Sequence, residues 1–155
     1  MQKLALISDD TKYRYQLSRI WDDSKPRILF IMLNPSTADS NNDDPTIRRV
    51  IGFAKLWGYG GLHVGNLYAY RSTDPKALKE VADPVGKENI THIQSLIRDS
   101  DRVVYAWGNN KSEPAWLKEL VPEPYCIDVS KYGIPKHPLY LKSDLTMRPF
   151  TRLSS

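Results

Sequence analysis

The chain reads as an α/β fold of three layers, α/β/α, with a mostly parallel central sheet and an antiparallel β-ribbon at its N-terminus. Three observations lead there. Apolar runs of strand length alternate with segments of helical spacing from Arg27 to Val129, the pattern of a sheet with helices on both faces. The run Arg27 to Leu33 is nearly all apolar, as in a strand covered on both sides. Two Asp-Pro pairs, Asp44-Pro45 and Asp74-Pro75, stand before helical spacings. The aspartate can accept a hydrogen bond from a free amide there, and proline at the first helical position has no amide to leave unpaired.

The elements follow in order. Leu4 to Ile7 is an apolar strand, and Ser8-Asp9-Asp10 is a turn. Tyr13, Tyr15 and Leu17 alternate with Lys12, Arg14 and Gln16, the period of a half-buried strand. These two strands make the ribbon, residues 1–24. Lys25-Pro26 breaks the chain, and an α/β core of residues 25–143 begins. Asp39 to Asp44 is acidic and rich in Asn, a loop. Ile47, Val50, Ile51, Ala54 and Trp57 then keep helical spacing up to the stop at Gly58. Leu62 to Leu67 is a strand. Ala77, Leu78 and Val81 follow the second Asp-Pro pair, and a further helix carries Ile90, Ile93 and Ile97. Arg102 to Trp107 is a strand ended by Gly108. Pro114 opens a helix through Leu117, Leu120 and Val121, and Tyr125 to Val129 is a last strand. Residues 144–155 lack periodicity and read as a loose tail.

Composition narrows the function classes without choosing one. A length of 155 residues suits a single domain, and 41% hydrophobic with 26% charged residues argues against disorder. No apolar run is long enough for a membrane helix, so no membrane partner is expected. Met1 to Asp10 has no basic segment followed by an apolar one, so no secretory signal is expected. Cys126 is the one cysteine. It excludes a disulfide within the chain and a cysteine-type zinc site, and it fits a reducing cytoplasm. The net charge of +4 mildly favours an anionic partner. There is no phosphate loop ending in Lys-Ser/Thr, no nucleophile elbow and no dinucleotide fingerprint. No two histidines stand at i, i+4. Neither a metal nor a cofactor is expected.

In such folds ligands bind beyond the carboxyl ends of the strands, and polar clusters stand at four of these points. After the first core strand come Asn34, Ser36, Thr37 and Asp39, which suit either a ligand or a loop bonded to itself. Asn66 lies inside an apolar strand, where an unpaired amide costs roughly 1–3 kcal/mol; its partner is a ligand edge or backbone. Arg71 follows it, placed for a phosphate, a carboxylate or a surface ion pair. Asn109 follows Trp107-Gly108, with Gly allowing close backbone approach. Last, two prolines bracket Lys136-His137 and stiffen that loop. His137 titrates near neutrality and is the best acid, base or charge-stabilising candidate, against a bland reading as a surface His in a tight turn.

The segments Tyr13 to Arg19, Met32 to Asp39, Asp44 to Arg49, Gly65 to Pro75, Ala106 to Gly108 and His137 to Leu141 together resemble a bacterial and phage domain-of-unknown-function family, number 1643. The order of the clusters also bears a weaker resemblance to the uracil-DNA glycosylase superfamily. There, an acidic loop containing Pro ends one strand, an Asn on the next reads the pyrimidine edge, a third strand ends in Gly, and a His-Pro loop follows. Asn34-Pro35, Asn66, Val103 to Gly108 and His137-Pro138 match these in turn.

That second resemblance implies a glycosylase-like fold and a pocket for a flipped base of DNA or of a nucleotide. Asn66 would bond the base edge and Tyr68 or Tyr70 would stack on it. His137 would donate to a carbonyl oxygen as charge builds on the leaving base. The chain departs from the pattern at the water-positioning carboxylate, where Leu33 or Asn34 stands. Asp44 is already a helix cap, so Asp39 is the expected substitute. The expected catalytic residues are thus His137 and Asp39, with Asn34, Ser36, Thr37, Asn66, Tyr68, Arg71 and Asn109 binding substrate. A nucleic-acid-binding module without chemistry, and a hydrolase or transferase for a small phosphorylated metabolite, are the competing readings.

Overall fold

The computed structural model describes residues 1–152. Seven strands form one sheet: β1 (Gln2–Ile7), β2 (Arg14–Ile20), β3 (Arg27–Met32), β4 (Gly61–Asn66), β5 (Arg102–Tyr105), β6 (Tyr125–Cys126) and β7 (Arg148–Pro149). The α-helices are α1 (Pro45–Leu56), α2 (Asn89–Arg98) and α3 (Ala115–Leu120). The strands run in the order β1-β2-β4-β3-β5-β6-β7. Pairing is parallel for β3 with β4, β3 with β5 and β5 with β6. It is antiparallel for β1 with β2, β2 with β4 and β6 with β7. The sheet is therefore mixed, and its parallel part is confined to β4, β3, β5 and β6. A tight turn between β1 and β2 permits antiparallel pairing alone, since a parallel pair needs a long crossover.

The sheet separates two cores. On one face, Leu17, Phe30, Val64 and Val104 pack against Ile47, Val50 and Phe53 of α1. On the other, Leu29, Ile31 and Tyr105 pack against Ile93 and Leu96 of α2 and Leu117 of α3. β3 supplies both, which explains its unbroken apolar run. Asp44 caps α1 by accepting from the Ile47 amide at 2.9 Å. Asp74 accepts from the Lys76 amide but opens a short 3₁₀ helix, Pro75–Lys79, in which Leu78 alone is buried. One apolar anchor gives too little burial to extend a helix.

Besides the mixed rather than mostly parallel sheet and the 3₁₀ turn after Asp74, two expectations change. β2 is not half-buried: it lies between β1 and β4, and Arg14 and Arg19 are 3% and 0% exposed. Arg19 donates through Nε to Asp43 at 2.7 Å and through its other nitrogens to the carbonyl oxygens of Ser18, Asp39 and Asn42. It pins the loop before α1 to the sheet. Residues 144–152 are not a loose tail either. They supply β7, the Leu145 carbonyl accepts from the Trp57 indole, and Arg152 grips Glu113 at 2.7 and 2.9 Å. The remainder of that expected tail, 153–155, lies outside the described residues. No helix among the described residues is long and apolar enough to cross a membrane.

Candidate functional site

β3 sits at a topological switch point. The chain leaves it through α1 to β4 on one side, then crosses through α2 to β5 on the other. Diverging connections leave a crevice at the carboxyl ends of such strands. A cavity of about 420 Å³ occupies that place, within the range of roughly 300–1,000 Å³ common to small-molecule sites. Leu33 and Asn34 close it from just beyond β3, Asn66 from β4, Asn109 from beyond β5, and His137 from the stiff loop. Arg14 and Asp44 complete the wall.

His137 is oriented by its own loop. The Leu139 amide donates to its Nδ1 at 3.2 Å, so the neutral ring carries its proton on Nε2. Burial pushes its pKa below the usual histidine value, against the opposing pull of Asp44. The ring is thus a neutral Nε2–H donor at physiological pH. Gly108, at φ +63°, lets the loop after β5 lie against it, and its amide donates to the Pro135 carbonyl oxygen at 2.9 Å.

Asn66 is 2% exposed, and its Nδ2 has no hydrogen-bond partner among the described residues. The backbone around it is fixed, because Asn89 of α2 donates to its carbonyl oxygen at 2.8 Å. Arg14 repeats the situation. Nη1 donates to the Ala38 carbonyl oxygen at 3.0 Å, while Nε is buried without a partner. Burial pulls the Arg14 pKa down to about 10, against the charge of Asp44, which leaves the guanidinium cationic at neutral pH. An unpartnered buried donor is costly, and two of them belong to residues of one cavity wall.

Asp44 is the carboxylate of the wall. One oxygen caps α1, and the other accepts from the Ala38 amide at 3.4 Å. It influences both Arg14 and His137. Arg14, Asn66, His137 and Asp44 therefore present three donors and one anionic acceptor around one space.

Of the residues expected from sequence, Asn34, Ser36, Asn66, Asn109 and His137 come together there. The Asn34 amide is partly used, donating to the carbonyl oxygens of Ser72 at 2.9 Å and Pro35 at 3.2 Å. Asp39, Thr37, Arg71 and Tyr68 are not on this wall. The Asp39 carboxylate is turned into its own loop, accepting from the amides of Asn41 and Asn42, both at 2.8 Å. Arg71 donates to the Thr11 carbonyl oxygen at 3.2 Å. Tyr68 lines an adjoining cavity. Sequence reasoning missed Arg14, whose alternation with tyrosines placed it on a solvent face, and saw in Asp44 nothing beyond its cap. Among the described residues no group of three His, Cys, Asp or Glu side chains is arranged to hold a metal ion.

The sequence model of the family described as "Protein of unknown function (DUF1643)" matches residues 14–139. That span runs from Arg14 to Leu139 and so takes in every residue of the cavity wall except Tyr140. No curated protein and no solved structure matches the chain at a significant level. With most of its length inside the match, the chain belongs to the DUF1643 family.

Proposed function

We propose that this chain recognises a nucleobase, carried by a nucleotide or a DNA strand, and hydrolyses the bond joining it to its sugar in the manner of an N-glycosylase. One observation carries the reading: the buried, unpartnered amide of Asn66 and the oriented imidazole of His137 line the same cavity. Asn66 bonds the base edge. The Nε2–H of His137 donates to a base carbonyl oxygen as the sugar–base bond breaks and its electron pair passes to the base. The Arg14 cation stabilises that developing negative charge, an electrostatic contribution that grows toward the transition state. Asp44, in place of Asp39, orients the water that attacks the sugar carbon and accepts the proton that the water gives up. The mixed sheet with α1 on one face and α2 and α3 on the other supports the likeness to the uracil-DNA glycosylase arrangement. A cytoplasmic setting suits the single, buried Cys126.

Binding without hydrolysis is favoured by one observation: both Asp44 oxygens already accept backbone amides. The two readings part in a base-release assay on single-stranded oligonucleotides carrying uracil, hypoxanthine or oxidised pyrimidines. Release by the wild type that falls at least a hundredfold in His137→Ala and Asn66→Ala supports the glycosylase. Oligonucleotide binding that depends on Asn66, with no base released, supports the binding module. Neither release nor binding overturns nucleobase recognition.

A further inference from the structure

Beside the central cavity lies a second one of about 380 Å³. The two share Leu33, Pro75 and Asn109 in their walls, so they adjoin along the carboxyl edge of the sheet. The second is cationic. Lys76 and Lys79 reach it from the 3₁₀ helix after β4, and Lys111 from the loop after β5. No carboxylate lines it, and none of these lysines takes part in an ion pair among the described residues. Tyr68 forms part of its wall, with Lys111 Nζ 5.5 Å from the ring centroid. The ring is half-buried, so it is held in place with part of its surface free.

We propose that this side cavity binds the nucleotide next to the one in the central cavity on a single nucleic-acid strand. Lys76, Lys79 and Lys111 meet the phosphodiester, and Tyr68 stacks on the adjacent base. The inference rests on the nucleobase reading of the central cavity and names the form in which the base arrives. Three unpaired cations around one aromatic wall are the combination by which single strands are held without sequence readout. A cavity this large exceeds what one phosphate needs and suits a phosphate with its neighbouring base. A free mononucleotide would leave most of it unused.

The test is fluorescence anisotropy with a fluorescein-labelled ten-nucleotide single-stranded DNA of mixed sequence, across a salt series, with thymidine monophosphate as competitor. Each lysine–phosphate contact on a single strand contributes roughly 0.7 to the slope of log affinity against log salt. The variant K76A/K79A/K111A is expected to flatten that slope by about 2 and to bind on the order of tenfold more weakly at 50 mM salt. Tyr68→Ala is expected to weaken binding about tenfold while Tyr68→Phe binds like wild type, since stacking needs the ring alone. The control K25A/K55A, at the far end of the sheet, is expected to keep the wild-type slope. An unchanged slope in the triple variant overturns the side site, and if Asn66→Ala still weakens binding the base pocket survives. A flattened slope with no effect of Asn66→Ala or His137→Ala keeps the side site and removes the base reading beneath it. Competition by the mononucleotide as strong as by unlabelled oligonucleotide, lost in the triple variant, overturns the neighbouring-nucleotide assignment.

Discussion

A Cβ placed on Gly108 would lie 3.1 Å from the Cβ of His137 and 3.3 Å from its backbone nitrogen. The two loops that carry the strand-end glycine and the imidazole are thus in contact at backbone level. Gly108→Ala is expected to push the His137 loop outward, and at φ +63° it adds about 1–2 kcal/mol of strain. Thermal unfolding should show a drop of a few degrees, and base release or oligonucleotide binding should fall further than stability does. Unchanged binding in the folded variant would mean that the contact does not position the ring.

Because the Leu139 amide occupies Nδ1 of His137, the ring is expected to be the Nε2–H tautomer at pH 7.5. Burial lowers its pKa, so its titration midpoint should fall below 6.5. Long-range nitrogen–proton NMR on the labelled protein reads both. A proton on Nδ1 would remove His137 as an Nε2–H donor, and a midpoint above 6.5 would contradict the burial of the ring.

Asp44 caps α1 and, in the proposed reaction, positions water, and substitutions can separate the two. Asparagine caps helices as well as aspartate does, whereas alanine does not. Asp44→Asn is expected to keep the cap through its amide oxygen, to lower the denaturation midpoint by losing the bond from the Ala38 amide and the anion beside Arg14, and to lower base release by a factor on the order of 10²–10⁴. Asp44→Ala is expected to cost about 1 kcal/mol of stability besides. Full activity in Asp44→Asn would exclude the carboxylate from water positioning.

Stability should fall as pH drops below 6.5, for a reason that lies with two histidines. His63 is buried, with Nδ1 2.6 Å from the Ser18 hydroxyl and Nε2 unpartnered among the described residues. Burial lowers its pKa, as it does that of His137. A lowered folded value means that the unfolded chain takes up protons first as pH drops, so stability is full above 6.5 and is lost toward the folded values. Asp22, Asp39 and Asp128 are also held below the usual carboxylate value, but their contribution is lost only below about 4. Urea midpoints at pH 7.5 and 5.0 should therefore differ, and His63→Gln should reduce the difference. Equal midpoints would contradict the burial of both rings as neutral groups.

The elements with a period were legible in the sequence. Asp44-Pro45 marked the start of α1, and the apolar runs marked β3, β4 and β5, because burial on both faces leaves no room for polar residues. What stayed hidden depends on sheet order. β2 was expected to face solvent on one side, yet His92 of α2 packs on its Tyr15 and the loop before α1 takes up Arg14 and Arg19. β7 has two exposed residues, Arg148 and Pro149, and no apolar pattern to announce it. Asn66 and His137 could be singled out because each is chemically out of place in its local segment. Arg14 and Asp44 could not, since an arginine among tyrosines and an aspartate before a proline already have ordinary explanations nearby.

Arg14, Asp44, Asn66 and His137 arrive from four stretches of chain that meet only when β2, β3, β4 and the loop beyond β6 are all in place. No fragment of the polypeptide contains the site, so occupancy and complete folding are one equilibrium. A ligand at a hundred times its dissociation constant would add about 2.7 kcal/mol to the unfolding free energy of the entire domain. The melting temperature therefore reports on the site: a compound that raises it for the wild type, and fails to do so for Asn66→Ala, is identified as an occupant.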